Sequence, residues 1–168
     1  MFIVKPVFTV LLLTTLWLFQ AGPGVAETTG PIDIQNSKLH TTKGPISLNE
    51  LKGQVVYVDF WASWCVPCRK SFPWMNQMQT RYGPLGFKII AVNVDSEPEL
   101  ARQFLAEYPA KFTIAFDPDG KAATAFKVKG MPNSFLIGRD GRLHSSHVGF
   151  REKEITTMEA DIKNLVNR

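Results

Sequence analysis

Two stretches of the chain are apolar at nearly every position, and they restrict the possible folds more than any other feature. Residues 54–62 read QVVYVDFWA and residues 86–94 read GFKIIAVNV, and both stretches are rich in β-branched and aromatic side chains. A strand that is apolar on both faces must be covered on both faces. Helical spacing of apolar residues follows each stretch. We therefore predict an α/β fold in three layers, a mixed central β-sheet with helices on both faces.

Turn residues and apolar spacing divide the rest of the chain into further elements. Ser47 and Glu50 form the pattern of a capping box ahead of a short helix. The other expected elements are a hairpin over residues 37–46, a helix from the cysteines to Tyr82, a helix capped by Ser96, a strand over 112–116, a short helix over 121–126, a hairpin of 134–137 and Leu143–Val148, and a last helix over Glu152–Val166. We expect the helix after the cysteines to be kinked at Pro73. We expect Leu100, Phe104 and Tyr108 on one face of the helix that Ser96 caps.

The first 26 residues have the composition of a secretory signal. Lys5 is the only charged residue before an apolar run of about 13 residues, whereas a membrane-spanning helix needs about 20. Small residues, Gly24 and Ala26, precede the expected cleavage point. We predict a signal peptide over 1–26, with an uncleaved membrane anchor as the alternative. A flexible lead-in over 27–36 and one domain over 37–168 follow.

The charge distribution does not indicate a nucleic-acid partner. The chain has 19 basic and 15 acidic residues, and its net charge of +4 is dispersed along the sequence. The longest basic cluster near the cysteines is the pair Arg69 and Lys70, far shorter than the basic stripe of a nucleic-acid-binding surface. We expect contact with a membrane only if the N-terminal segment remains uncleaved.

The only two cysteines, Cys65 and Cys68, lie between the first apolar strand and a helix. A bridge that closes about four residues contributes only about 2 kcal/mol, so a purely structural disulfide is disfavoured. Zinc would need two more ligands, and His144 and His147 are three apart in an expected strand, where they point to opposite faces. Copper(I) held by two thiolates, with Met131 as a further ligand, stays open as an alternative.

A redox-active pair explains more of the neighbouring sequence. A helix N-terminus favours a thiolate on Cys65, and Pro67 fits the first helical turn, where its missing N–H costs nothing. We expect Cys65 to be exposed and to attack a disulfide, and Cys68 to resolve the mixed disulfide. Asp59, an acid in the apolar strand, is predicted to have a raised pKa and to accept the proton of Cys68. The alternative for Asp59 is a strand-end acid that faces solvent or caps a helix.

Residues 58–68, VDFWASWCVPC, resemble the active-site signature of the thioredoxin superfamily, and an exported chain of this kind is similar to the TlpA/ResA-like thiol–disulfide reductases. The resemblance covers residues 37–166. It implies a thioredoxin-like fold with Pro132 in the cis form after Met131, and with Trp64, Pro67, Met131 and Pro132 beside the substrate. Two departures stand out: Ser71 replaces an acid that is common in TlpA-like proteins, and Asn133 replaces the threonine that is common in thioredoxins.

The resemblance implies an enzyme that reduces disulfides of substrate proteins through the Cys65–Cys68 dithiol, in the bacterial periplasm or anchored on the outer side of the inner membrane. The implied partners are disulfide-containing proteins and a thiol electron donor, either soluble or membrane-embedded. No bound cofactor and no metal is expected. The alternatives are a disulfide oxidase of the DsbA type and a copper-binding or metal-delivery protein of the same fold.

The signal assignment predicts that the exported protein begins at Glu27, because small residues occupy the last and third-last positions before the cut. N-terminal sequencing of the protein recovered from the producing cell measures this directly. A chain that still begins at Met1 in the membrane fraction would identify an uncleaved anchor instead.

Overall fold

The computed structural model describes Ile34 and residues 36–168. The predicted signal peptide and most of the predicted lead-in lie outside the described residues. The strands are β1 (Lys38–Thr41), β2 (Gly44–Ser47), β3 (Val55–Trp61), β4 (Phe87–Asn93), β5 (Thr113–Phe116), β6 (Asn133–Ile137) and β7 (Leu143–Val148). The α-helices are α1 (Val66–Tyr82), α2 (Pro98–Glu107), α3 (Lys121–Ala125) and α4 (Glu152–Val166), and short 3-10 helices cover Leu48–Leu51 and Gly83–Leu85. No helix in this part of the chain is long and apolar enough to cross a membrane.

The strands form one mixed sheet in the order β2-β1-β5-β4-β3-β6-β7. Strands β3, β4 and β5 are parallel, and β6 runs antiparallel to β3 with Phe60 opposite Asn133. The end of β3 therefore lies beside the start of β6. As a result, the cysteine segment after β3 and the loop before β6, which contains Pro132, lie next to each other at the same end of the strands.

Each face of the sheet has its own apolar core, as the two apolar strands predict. Alternate residues of β3 project to opposite faces, so Tyr57 and Trp61 pack under α1 while Val58 and Phe60 pack on the other side. Residues of α1, α2 and α4 complete the first core; residues of α3 and of the 3-10 helix at Leu48–Leu51 complete the second. The predicted α/β sandwich with helices on both faces is confirmed.

Most of the expected elements are present, including the first hairpin, in which Lys38 pairs with Ser47. The Ser47 N–H donates to the Glu50 carboxylate at 3.4 Å, one half of the expected capping box. Ile34, in the segment expected to be a flexible lead-in, is buried in the second core, and its carbonyl accepts from the Ser37 N–H at 3.1 Å. The second core thus includes a residue of that segment.

The predicted start of α2 is wrong, and its predicted apolar face is confirmed for Phe104 and Tyr108 but not for Leu100. The N-cap is Glu97 in an extended conformation, not Ser96, because Pro98 occupies the first turn, where its missing N–H has no intrahelical partner. Leu100 is 38% exposed, whereas Ala101 and Phe104 are buried. The buried stripe is therefore centred one residue further along than the apolar spacing suggested, and Leu100 falls at its margin.

Phe126→Ala is expected to lower the free energy of unfolding by about 3–5 kcal/mol, the usual cost of removing a buried aromatic ring. Phe126 is fully buried, and its ring centroid lies 5.1 Å from that of Phe60 and 5.0 Å from that of Phe135. Urea unfolding followed by circular dichroism measures the change. The partly exposed Leu100, replaced by alanine, is the control, with a change within about 0.5 kcal/mol; a comparable loss in both variants would contradict the two-core arrangement.

Candidate active site

Cys65 and Cys68 form a disulfide at the N-terminus of α1, with 5.3 Å between their Cα atoms. Cys65 is the N-cap of the helix, and its sulfur accepts a hydrogen bond from the Cys68 N–H at 3.3 Å. Pro67 lies in the first turn, as expected from the spacing. The helix N-terminus and this N–H both stabilise negative charge on the Cys65 sulfur, so the geometry favours Cys65 as the thiolate.

The expectation that Cys65 is exposed is wrong for the disulfide form. Cys65 is 3% exposed and Cys68 is fully buried. Both sulfurs belong to the apolar core beneath α1. The exposed groups at this site are instead the flanking side chains, Trp64 at 66% and Val66 at 62%; Trp64 was expected beside the substrate, whereas Val66 was not singled out.

Asp59 lies in the middle of the sheet, 2% exposed, between Ala91 of β4 and Ser134 of β6. Its position in β3 places it on the same face as Tyr57 and Trp61, the face covered by α1. Burial raises the pKa of Asp59 well above its usual value, and the Oδ2 atom has no hydrogen-bond partner. The predicted burial and raised pKa are confirmed, so this carboxyl can hold a proton where an exposed aspartate cannot.

The Asp95 carboxylate holds the loop that leads to the cysteines, a role the sequence analysis missed. The Ser63 N–H donates to Oδ2 at 2.9 Å and the Ser63 hydroxyl donates to Oδ1 at 3.0 Å. The Asn93 amide donates to Oδ2 at 2.7 Å. These bonds join the ends of β3 and β4 and fix the chain two residues before Cys65. The available signal was a pair of polar residues at the end of an apolar parallel strand, the usual position of functional groups in such sheets.

The proline loop before β6 has the conformation that the resemblance implies, with a cis bond between Met131 and Pro132. The Pro132 carbonyl accepts from the Gly149 N–H at 2.7 Å. The Asn133 side chain accepts from the Lys129 N–H at 3.1 Å and donates its amide to the His147 carbonyl at 2.9 Å. Asn133, one of the two departures from the family pattern, thus binds the start of the loop and the neighbouring strand β7. Pro132 is buried and Met131 is half-buried.

Ser71, the other departure, is buried in α1 at 2% exposure. Its hydroxyl donates to the Cys68 carbonyl at 3.1 Å. The side chain is therefore committed to the helix that carries the cysteines and presents no charge to them. Among Ile34 and residues 36–168, no group of three or more His, Cys, Asp or Glu side chains is arranged to hold a metal ion.

Asp59→Asn is expected to raise the free energy of unfolding at pH 8 relative to the unsubstituted protein, because ionising a buried carboxyl destabilises the folded state. The folded-state pKa lies above the unfolded value of about 3.9, so the unsubstituted protein loses stability as the pH rises from about 4 through the raised pKa. Urea unfolding at several pH values measures the gap, which should shrink towards pH 4. Asp119→Asn, in an exposed turn, is the control; a gap independent of pH would contradict the buried ionisation.

Comparisons with known proteins agree with this geometry. Residues 26–166 match the Redoxin family. The thiol-disulfide oxidoreductase ResA of Bacillus cereus is 37% identical over 109 residues, 65% of this chain and 63% of that protein. ResA of Bacillus subtilis is 35% identical over 112 residues, 66% of this chain and 63% of that protein. The chain thus spans less than two thirds of the length of these curated relatives.

Two solved structures extend the likeness. A candidate thiol:disulfide interchange protein DsbE of Chlorobium tepidum has 48% identity and a TM-score of 0.76, covering 79% of this chain and 94% of that one. StoA of Bacillus subtilis has 26% identity and a TM-score of 0.61, covering 74% of this chain and 93% of that one. The chain belongs to the Redoxin family, on the TlpA/ResA-like branch of the thioredoxin superfamily.

Proposed function

We propose that the protein is an exported thiol–disulfide oxidoreductase that reduces disulfides of substrate proteins. The observation that carries this proposal is the Cys65–Cys68 disulfide at the start of α1, with the Cys68 N–H directed at the Cys65 sulfur. A buried carboxyl, Asp59, lies on the sheet face beneath that helix. The names of the relatives, thiol-disulfide oxidoreductase and thiol:disulfide interchange protein, support the same reaction.

In the first step the reduced protein acts through Cys65. Its thiolate, stabilised by the helix N-terminus, attacks one sulfur of the substrate disulfide. The substrate S–S bond breaks, and a mixed disulfide joins Cys65 to the substrate. The second substrate sulfur leaves as a thiolate and takes a proton from water.

In the second step Cys68 releases the substrate. The Cys68 thiol gives its proton to Asp59, and the resulting thiolate attacks the Cys65 sulfur of the mixed disulfide. The remaining substrate thiolate leaves and is protonated by water, while Cys65 and Cys68 close their disulfide. The substrate gains two electrons and two protons in total, and a thiol electron donor, soluble or membrane-embedded, returns the pair to the dithiol.

The surface around the disulfide suits an extended, partly apolar substrate segment. Trp64 and Val66 are exposed beside the cysteines, and the loop of Met131 and Pro132 lies at the same end of the strands. We assign Trp64, Pro67, Met131 and Pro132 to substrate contact, with the Met131 backbone pairing with the segment as an added strand. Exposed aromatic and aliphatic groups give such a segment apolar contact without a deep pocket.

The direction of electron flow is tested by the reduction potential of the Cys65–Cys68 pair. A reductase is expected near the value of thioredoxin, about −270 mV, whereas a DsbA-like oxidase lies near about −120 mV. Equilibration with glutathione buffers, followed by mass spectrometry of the alkylated thiols, gives the potential. A value close to that of DsbA would overturn the proposed direction while leaving the exchange chemistry in place.

Cys68→Ser is expected to accumulate a stable mixed disulfide with a peptide that contains an internal disulfide, because the resolving thiol is missing. Cys65→Ser, its matched control, is expected to accumulate almost none at neutral pH, since the remaining thiol lies inside the helix and lacks the N-cap position that stabilises a thiolate on Cys65. Non-reducing gel electrophoresis and intact-mass measurement count the adduct. Adduct formation by Cys65→Ser rather than by Cys68→Ser would reverse the two assigned roles.

A further inference from the structure

The charged residues around the disulfide differ in sign between its two sides. In the sheet, β3, which leads to Cys65, lies between β4 and β6. The segment after β4, residues 94–99, contains three acidic residues and no basic one, whereas the loop before β6, residues 127–132, contains two lysines and no acidic residue. Both segments lie at the disulfide end of the strands, because β4 is parallel and β6 antiparallel to β3. The charge therefore changes sign across the active site.

The loop before β6 holds its lysines beside the active site. The Lys129 N–H donates to Asn133 Oδ1 at 3.1 Å, and Asn133 is directly opposite Phe60, one residue before the end of β3. Lys127 and Lys129 both have exposed side chains. The loop that contains the cis-proline thus presents positive charge to solvent where the substrate segment is proposed to pair.

Two further basic residues extend this charge around the exposed apolar surface. Trp74 of α1 contacts Phe150, with 5.6 Å between the ring centroids. Lys70 lies one helical turn closer to the disulfide on the same side of α1 as Trp74, and Arg151 directly follows Phe150. Both basic side chains are exposed. We name these four residues the basic border: Lys70, Lys127, Lys129 and Arg151.

Neighbouring acids neutralise only part of the basic border. Glu154 pairs with Arg151 at 3.1 Å, and Glu152 is exposed beside them. Among Ile34 and residues 36–168, no carboxylate pairs with Lys70 or Lys129. These two ammonium groups are therefore available to a charged partner.

The acids on the other side of the disulfide have different surroundings. Asp95 is buried and accepts hydrogen bonds from Ser63, as described above, and Glu99 pairs with Arg102. Glu97 is exposed and makes no capping hydrogen bond at the start of α2. Glu97 therefore leaves a negative charge on the β4 side, which disfavours an acidic segment there.

We propose that the protein selects substrate disulfides that have acidic residues on one side, and that these acidic residues lie along the basic border. The inference rests on the proposed function and names the class of substrate that the same site prefers. The apolar part of the segment contacts Trp64 and Val66, and its acidic part meets Lys70 and Lys129. A basic segment in the same place is repelled, because charges at the rim of an interface mainly change the rate of encounter.

Two peptides with an internal disulfide test this preference. They are identical except for three aspartates or three lysines on one side of the disulfide, and each is made with the charged residues before and after it. Quenched-flow alkylation and mass spectrometry measure the second-order rate constant of the reduced protein with each peptide. At about 0.01 M salt, where charges interact over about 30 Å, the aspartate peptide is expected to react about tenfold faster in one of the two arrangements. At about 1 M salt the two rate constants should become equal.

Charge reversal locates the preference. Lys129→Glu and Lys70→Glu are each expected to lower the preference for aspartate about threefold, the scale of one exposed ion pair, and the double variant should abolish it. Lys163→Glu is the matched control. Lys163 is exposed in the last turn of α4, whose end is bound by Arg139 at the opposite end of the strands. Equal rates for the two peptides at low salt, or a preference that survives the double variant, overturn the inference.

A binding measurement distinguishes failure of this inference from failure of the proposed function. If the reduced protein leaves both peptides intact, the proposed function fails. The disulfide form is then titrated at low salt with the same peptides carrying serine in place of cysteine, followed by nuclear magnetic resonance of its backbone amides. Shifts at Lys129, Met131 and Phe150 are expected with the aspartate peptide and not with the lysine peptide. Equal shifts with both, or none with the aspartate peptide, overturn the preference itself.

Discussion

The parallel pairing of β3 with β4 is the interaction on which the rest of the structure depends. All seven residues of β3 are buried, and the pairing runs in register from Val55 opposite Phe87 to Trp61 opposite Asn93. Because both faces are apolar, helices must cover both, and β6 completes the sheet on the other side of β3. As a result, the disulfide, the Asp95 carboxylate and the cis-proline loop all lie at the same end of these strands.

One residue of this buried strand, Asp59, lowers the stability of the folded state. Asp59 has no apolar surface to contribute, its Oδ2 atom lacks a partner, and its ionisation is disfavoured by burial. An apolar residue at this position would stabilise the sheet, so the carboxyl is best explained by chemistry. The same desolvation that destabilises the charged form lets the group take a proton from a buried thiol at neutral pH.

The sequence could predict a structural feature when the physical cause of that feature lies within a few consecutive residues. The Cys65–Cys68 pair, the helix that follows it and the buried acid Asp59 were recognisable, because spacing and apolar pattern are written in consecutive residues. The cis form of Pro132 was implied only by the family resemblance. The start of α2 was misplaced because Pro98 takes the first turn and makes Glu97, not Ser96, the N-cap. The exposure of Cys65 was misjudged because the core that encloses it is built from distant segments of the chain.

The sequence by itself determined that the chain forms a sheet covered on both faces, with a dithiol at the start of a helix and an acid in the strand before it. Those features follow from residue type and short-range periodicity. Only the tertiary structure decided that Asp95 binds Ser63 and that Asp59, Ser134 and His147 lie directly opposite one another on neighbouring strands. Strand register and sheet order are set by packing between distant segments. A shift of one residue in the register would turn the Ser134 or His147 side chain to the opposite face, and no local pattern prevents that.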